Sequence, residues 1–473
     1  YGKKKTQLLS HFKKLANQTA IYGLSSVIGR LLNYLLVPLY TRYFLPSEYG
    51  VVTEMYAYVA FLVVFLTYGL ETAFFRFINN DENPKTVYST ALISLTISSS
   101  IFILILFTTA SSVANTLGYG IQTSFVQWFA IIIGLDAIAS ISFAKLRAEE
   151  KAVNFAVIKI FAIFSNILLN LYFIVYKGFG IEYVFISNLI SSTLTIICLL
   201  PTMMRASFVF EVLLWKRMML YALPLLIAGL AGMINETIDR VLLKHLLSNT
   251  VSASHELGLY GAFYKISIIM LLFVQTFRYA AEPFFFSHFK NQDNRKVYAD
   301  VMKYFTVCMI IIFLGVIIFY DYIILFLGSE YHDERGFLVV SLLMLANLFL
   351  GMFFNLSIWY KLIDKTIFGA YLAIFGAVIT LVLNFMLIPK IGFVGSALAT
   401  LVCYFSMTLL SYYFGRKYFR IPYQIGKISL YLFVMMAIYF IVYNQYFNLG
   451  LNSLLLLGFI MFVSFSEKIK FIR

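Results

Sequence analysis

The sequence predicts an all-α polytopic membrane protein of about 14 transmembrane helices, with two six-helix lobes in a parallel pseudo-two-fold repeat and a C-terminal helix pair. Three observations carry that prediction. The first is composition: 61% of residues are hydrophobic, 12% are charged and mean hydropathy is +0.87, whereas a soluble domain holds about a quarter charged residues. The second is rhythm, because apolar runs of about 20 residues alternate with short polar joins, and a helix needs roughly that length to cross the hydrocarbon core. An outer-membrane barrel would show short alternating strands instead. The third is internal duplication. The stretch Leu70 to Asn83 (LETAFFRFINNDEN) returns loosely as Ala281 to Asn294 (AEPFFFSHFKNQDN). Glu71, Phe74, Phe75, Asn80 and Asn83 pair at one shift with Glu282, Phe285, Phe286, Asn291 and Asn294. Glu48 and Gly50 echo in Glu256 and Gly258, Lys145-Leu146 in Lys361-Leu362, Asn170 in Asn384, and Gly180 in Gly392. Matches at nearly one shift mark a repeat, and transporter repeats commonly place a substrate site where two lobes meet.

In chain order the spans are expected near 17–40, 50–75, 86–108, 124–144, 153–176 and 182–204, which form a first lobe over residues 1–205. The next six, near 218–243, 258–286, 300–320, 337–360, 367–388 and 393–414, form a second lobe over 216–415. An even number per lobe relates the two by an axis along the membrane normal. Spans near 428–444 and 450–465, within 416–473, have no partner in the repeat. Pro38, Pro224 and Pro283 stand in or beside spans one, seven and eight, where a lost backbone bond bends a helix or marks its end.

Orientation follows from the 36 cations. By this placement 26 lie on the side of the termini, five (Arg42, Lys177, Lys244, Arg335 and Lys390) on the other, and five within spans. Such a bias predicts both termini in the cytoplasm. It also accounts for the +14 net charge through topology and anionic lipid heads, so membrane lipids are expected partners and nucleic acid is not. The N-terminal basic cluster leading into a full-length span reads as an inside start rather than a cleavable leader.

Charges at membrane depth are the site candidates, because each costs roughly 2.5 to 3.5 kcal/mol against lipid and so faces a cavity or a partner. Arg30 lies about twelve residues into the first span, roughly 18 Å deep, with Asn33 on the same face. It either lines a cavity or pairs with a buried acid to hold two helices in register. In span eight Gln275, Arg278 and Glu282 follow at spacings of three and four, which allows cavity lining or an intrahelical pair. Arg30, Asn33, Gln275, Arg278 and Glu282 are therefore the expected substrate-binding set, since guanidinium groups grip phosphate through two hydrogen bonds. Asp136, Glu236, Asp239, Arg240 and Lys265 form a second set. A salt link of Glu236 or Asp239 with Lys265 is the structural reading, and gating or cation coupling the functional one. Glu54 stands toward the outer end of span two, and Lys159 snorkels near the inner end of span five.

The three cysteines, Cys198, Cys308 and Cys403, lie within apolar runs, and the five histidines lie in or near joins. With no Walker motif and no metal-ligand or nucleophile spacing, neither catalytic nor metal residues nor a cofactor are expected.

Gln18 to Asn79 resembles the O-antigen (Wzx-type) polysaccharide flippases of the multidrug/oligosaccharidyl-lipid/polysaccharide (MOP) exporter superfamily. The resemblance rests on Pro38-Leu39-Tyr40-Thr41-Arg42, on Leu45-Pro46-Ser47-Glu48-Tyr49-Gly50, on Tyr68-Gly69-Leu70 through Arg76, and on Lys390-Ile391-Gly392-Phe393-Val394-Gly395-Ser396-Ala397. It implies a carrier that moves a polyprenyl-diphosphate-linked oligosaccharide outward across a bacterial inner membrane during lipopolysaccharide synthesis. It also implies polysaccharide polymerase machinery as a partner and a proton, a sodium ion or the membrane potential as the drive. Arg30 and Arg278 inherit the role of cavity cations from that resemblance. The rival readings are an ion-coupled multidrug antiporter of the same superfamily, which has twelve spans and relies on acids, and a polytopic glycosyltransferase or polymerase.

Overall fold

The computed structural model describes residues 28–29, 31–32, 34–78, 83–120, 122–247, 250–288, 294–363, 365–444 and 448–467, with side chains at 250–251, 279–280, 282–284, 286–288 and 294 excepted. These residues are helical with short joins. The helices are α1 (Leu36–Tyr43), α2 (Pro46–Thr67), α3 (Leu70–Ile78), α4 (Pro84–Thr116), α5 (Thr123–Ala148), α6 (Ala152–Asn170) and α7 (Glu182–Met203). They continue as α8 (Val212–Leu246), α9 (Thr250–His288), α10 (Asn294–Ile318), α11 (Gly336–Leu356), α12 (Ile358–Leu362), α13 (Ile367–Tyr418), α14 (Ile425–Tyr443) and α15 (Leu449–Ser466).

Among the described residues 12 helical stretches are long and apolar enough to cross a membrane. They coincide with predicted spans two to fourteen, because Ile367–Tyr418 holds two spans in one run. That run breaks where Ile391 (φ −135°) and Gly392 (φ +58°) leave helical geometry just after Pro389, at the join expected between 388 and 393. Most of the first predicted span lies outside the described residues. The protein is thus an all-α polytopic membrane protein.

Local chemistry sets the helix ends. Proline occupies the first turn of α2 and of α4, where a missing N–H costs nothing. The Asn83 side chain caps α4 by accepting from the Lys85 backbone N–H at 3.0 Å. Between α2 and α3 the chain turns through Tyr68 (φ +35°) and Gly69 (φ +71°). A Cβ on Gly69 would sit 3.0 Å from the Ala222 carbonyl oxygen of α8, so both the backbone conformation and the close approach require glycine.

By contacts the chain divides into two compact units, Tyr1–His255 and Glu256–Arg473. This boundary records packing and differs from the lobe boundary near 205–216 expected from the sequence. In the first unit α4 packs along α5, α5 along α7, and α2 and α3 along α8. Leu70, Phe74, Val87, Tyr88, Ile141, Leu214 and Met218 belong to a core cluster there. In the second unit α11 packs along α13, and α10 carries α14 and α15. Phe353, Trp359, Leu372, Cys403 and Met407 lie in the core there. Helix α6 instead presents Val153, Val157, Phe161, Phe164 and Leu168 outward, as a lipid-facing helix must.

Candidate functional site: a cationic cleft and a buried ion pair

In the second unit, α9 faces the end of α11 and the short α12 across a narrow cleft with a cavity of only about 10 Å³. Val274, Phe277 and Arg278 line it from α9, and Gly351, Phe354, Asn355, Ser357 and Lys361 from the other wall. The Arg278 guanidinium lies 4.9 Å from the centre of the Phe354 ring, whose face supports the cation. Asn355 is 4% exposed, and its Nδ2 donates to the Gly351 carbonyl at 3.3 Å. Its Oδ1 is buried and accepts no hydrogen bond among the described residues. The cleft thus brings two cations, an aromatic ring and a buried amide oxygen close together.

A second polar cluster lies in the first unit, where the Pro46 end of α2 meets the C-terminal end of α8. The Lys244 Nζ stands 2.5 Å from Glu54 Oε2, with Glu54 0% and Lys244 7% exposed. Lys244 also donates to the Leu117 carbonyl at 2.8 Å and lies 4.0 Å from the centre of the Tyr119 ring. Glu54 accepts from the Tyr119 hydroxyl and, at 3.2 Å, from that of Tyr58. With the Tyr58 proton committed to Glu54, its 3.0 Å contact with His245 requires the tautomer protonated at Nε2. Burial of this pair is tolerable because every charged atom has a hydrogen-bonded partner. Burial also pushes the Tyr119 phenol well above its ordinary pKa, and the neighbouring Glu54 charge adds to that.

Of the residues expected from the sequence, Arg278 lines the cleft. Gln275, half-buried on the same helix, is not among its lining residues. Arg30, Asn33 and the Glu282 side chain lie outside what is described. Asp136 is half-buried on α5 and accepts from the Ser192 hydroxyl at 2.9 Å. Asp239 is buried, with its Oδ1 accepting from the Arg240 backbone N–H at 2.9 Å, while Glu236 and Lys265 are exposed. Sequence reading noted Lys361 as the echo of Lys145, passed over Asn355, and left Glu54 and Lys244 as separate charges. Among the described residues no three His, Cys, Asp or Glu side chains converge on a metal site.

The profile of the polysaccharide biosynthesis protein family matches residues 39–334, more than half of the chain. The chain belongs to that family. The fold of this polysaccharide biosynthesis protein is similar to that of several solved membrane transporters. A structure described as the lipid II flippase MurJ in an inward closed conformation superposes with a TM-score of 0.71 at 16% identity, covering 94% of this chain and 98% of that one. An inward-facing multidrug resistance MATE family transporter of the MOP superfamily gives 0.65 at 14% identity, covering 87% and 96%. The outward-facing form of such a transporter gives 0.60 at 12% identity, covering 87% and 96%. No curated protein sequence matches this family member significantly.

Proposed function

We propose that this polysaccharide biosynthesis protein is a lipid-linked oligosaccharide flippase. It moves polyprenyl-diphosphate-linked repeat units, such as those of an O-antigen lipopolysaccharide, from the cytoplasmic to the outer leaflet of a bacterial inner membrane, and its role is transport rather than catalysis. The family membership over residues 39–334 carries the reading, and the fold likeness to a lipid II flippase supports it. Two repeats, 1–205 and 216–415, would rock in alternating access with both termini cytoplasmic, and 416–473 would accompany the second. In this reading Arg30, Asn33, Gln275, Arg278 and Glu282 meet the substrate, with the arginines on the diphosphate. Asp136, Glu236, Asp239, Arg240 and Lys265 serve gating or coupling to a proton or sodium ion. An inside-negative potential favours outward movement of an anionic head group by about 2.3 kcal/mol per charge per 100 mV. Polysaccharide polymerase machinery is the expected recipient of the product.

The test is translocation of a fluorescent polyprenyl-diphosphate oligosaccharide in proteoliposomes, read by access of an external lectin. Protein-dependent exposure of the glycan, reduced at least tenfold by Arg30→Ala or Arg278→Ala, is expected. Proton-driven export of organic cations with no glycan exposure would replace this reading with the multidrug antiporter.

A further inference from the structure

We propose that the join between α7 and α8 is a membrane anchor, which sets its exposed apolar side chains into the bilayer interface and binds anionic lipid headgroups through Arg205 and Lys216. The join links two stretches of spanning length, Glu182–Met203 and Val212–Leu246. With 22 residues α7 is about 33 Å long, just enough to cross a hydrocarbon core of about 30 Å. The chain that follows it therefore starts at the bilayer surface. Residues 207–211 are non-helical, and irregular backbone facing lipid is not tolerated in the hydrocarbon core. The join nevertheless displays Met204, Phe208, Val209 and Phe210, with Leu213 following in the first turn of α8, all exposed. The headgroup boundary accepts both a hydrated backbone and apolar side chains. Phe208 is held at φ +51°, a conformation rare for a bulky residue and kept where the surroundings fix it.

The back of the join is fixed, which turns its apolar side chains outward. The Ser207 backbone N–H donates to Ser89 Oγ at 2.8 Å, the Glu211 N–H to Thr90 Oγ1 at 3.3 Å and the Trp215 indole N–H to Ser94 Oγ at 2.9 Å. Three donors thus meet neighbouring hydroxyls of α4. Leu214 and Met218 are 0% exposed in the core cluster that α4 shares, while Phe208 is 67% and Leu213 71% exposed. Phe210 lies beside Trp215, with ring centres 6.2 Å apart, and a Trp with its N–H bonded suits a membrane interface. Charge selects the occupant. From Met204 to Arg217 there are three cations, Arg205, Lys216 and Arg217, against one acid, Glu211, and Arg205 and Lys216 are exposed. Lys85, Lys151 and Arg205 all act electrostatically on Lys145, so further cations gather at this end of the unit. Apolar side chains rimmed by cations complement an anionic lipid surface.

Such an anchor would serve any carrier of this fold, so its test stands apart from the flippase reading. The full-length protein, with Cys198, Cys308 and Cys403 replaced by serine and Val209→Cys carrying an NBD label, is placed as single copies in nanodiscs of phosphatidylcholine with or without phosphatidylglycerol. In the anionic nanodiscs the label is expected to shift to the blue and to be quenched by lipids brominated near the headgroup end of the acyl chain, but not by aqueous iodide. Arg205→Gln together with Lys216→Gln is expected to lower the ratio of inserted to exposed label about fivefold for each cation lost, the equivalent of about 1 kcal/mol each. Arg205→Lys together with Lys216→Arg keeps the charge and should keep the quenching, which controls for folding. Quenching by iodide in both kinds of nanodisc would overturn the anchor. Bromolipid quenching that ignores both phosphatidylglycerol and the loss of the two cations would overturn the headgroup sites, since apolar contact alone would then explain it. Protection from both quenchers would also overturn the proposal, because protein rather than lipid would then cover the join.

Discussion

At the scale of single residues, the Glu54–Lys244 pair makes the most exposed prediction about stability. Both charges are buried, and each supplies the other's main compensation. Glu54→Gln leaves an ammonium in a site built for its neutralisation, and breaking a buried pair costs about 3 to 5 kcal/mol. The detergent-purified variant is therefore expected to melt well below wild type. Glu54→Leu combined with Lys244→Met should recover most of the loss, because an apolar replacement of both partners removes the desolvation cost as well. Equal melting of Glu54→Gln and wild type would mean that water reaches the pair. The two charges were each legible in the sequence, near the ends of spans two and seven. Their meeting was not, because the partners are 190 residues apart and no periodicity connects them. Asn355 was hidden for the opposite reason, since one amide in an apolar helix carries no sequence signal of whether its oxygen is satisfied.

At the scale of elements, the helix pair α14–α15 is fastened to α10 by one carboxylate. Glu467, just beyond α15, accepts from Lys303 of α10 at 2.5 Å, from Lys427 of α14 at 2.9 Å and from the Tyr431 hydroxyl at 2.6 Å. Burial alone would push its carboxyl up, but the hydrogen bonds from Lys303, Tyr431 and Lys427 outweigh that and hold it down at about 2. A folded-state value below the ordinary one means that the stabilisation is fully present above about 4.5 and fades as pH falls toward 2. Acidification from neutrality to about pH 3 is thus expected to lower the melting temperature of wild type more than that of Glu467→Gln. Parallel curves would show that the fastening does not depend on this charge. The turn between α2 and α3 offers a second element-level test. Gly69→Ala must hold a left-handed backbone against the Ala222 carbonyl, at a cost of about 1 to 2 kcal/mol. Gly232→Ala in α8, where a Cβ meets nothing within 4 Å, is expected to be neutral or slightly stabilising. These elements were largely readable beforehand. Apolar runs of spanning length located the helices and placed a join between 388 and 393, where α13 breaks, because a membrane helix must be apolar and continuous or visibly interrupted. Nothing in the sequence singled out Glu467, whose role exists only once three distant helices converge on it.

At the scale of the whole molecule, the question is which bodies move. The repeat assigns α2 to the first lobe of the proposed carrier and α8 to the second, yet the two helices pack together at the ends that carry Glu54 and Lys244. In the proposed orientation those ends face outward. Release of substrate to the outer leaflet would then require α2 and α8 to part there, breaking a buried ion pair and the Tyr58–His245 contact beside it. An interaction that must break in every cycle stores a preference for the state in which it is made, and a ligand shifts that balance only through its differential affinity for the two states. Linking the two positions should therefore arrest the carrier. With Cys198, Cys308 and Cys403 replaced by serine, Glu54→Cys together with Lys244→Cys joined by a short bis-maleimide is expected to abolish glycan exposure in proteoliposomes. The same variant treated with a monofunctional maleimide should retain exposure, which separates arrest from loss of the ion pair. Translocation by the linked protein at the rate of the unlinked one would mean that α2 and α8 travel together, and that the moving boundary follows the contact unit Tyr1–His255 rather than the repeat.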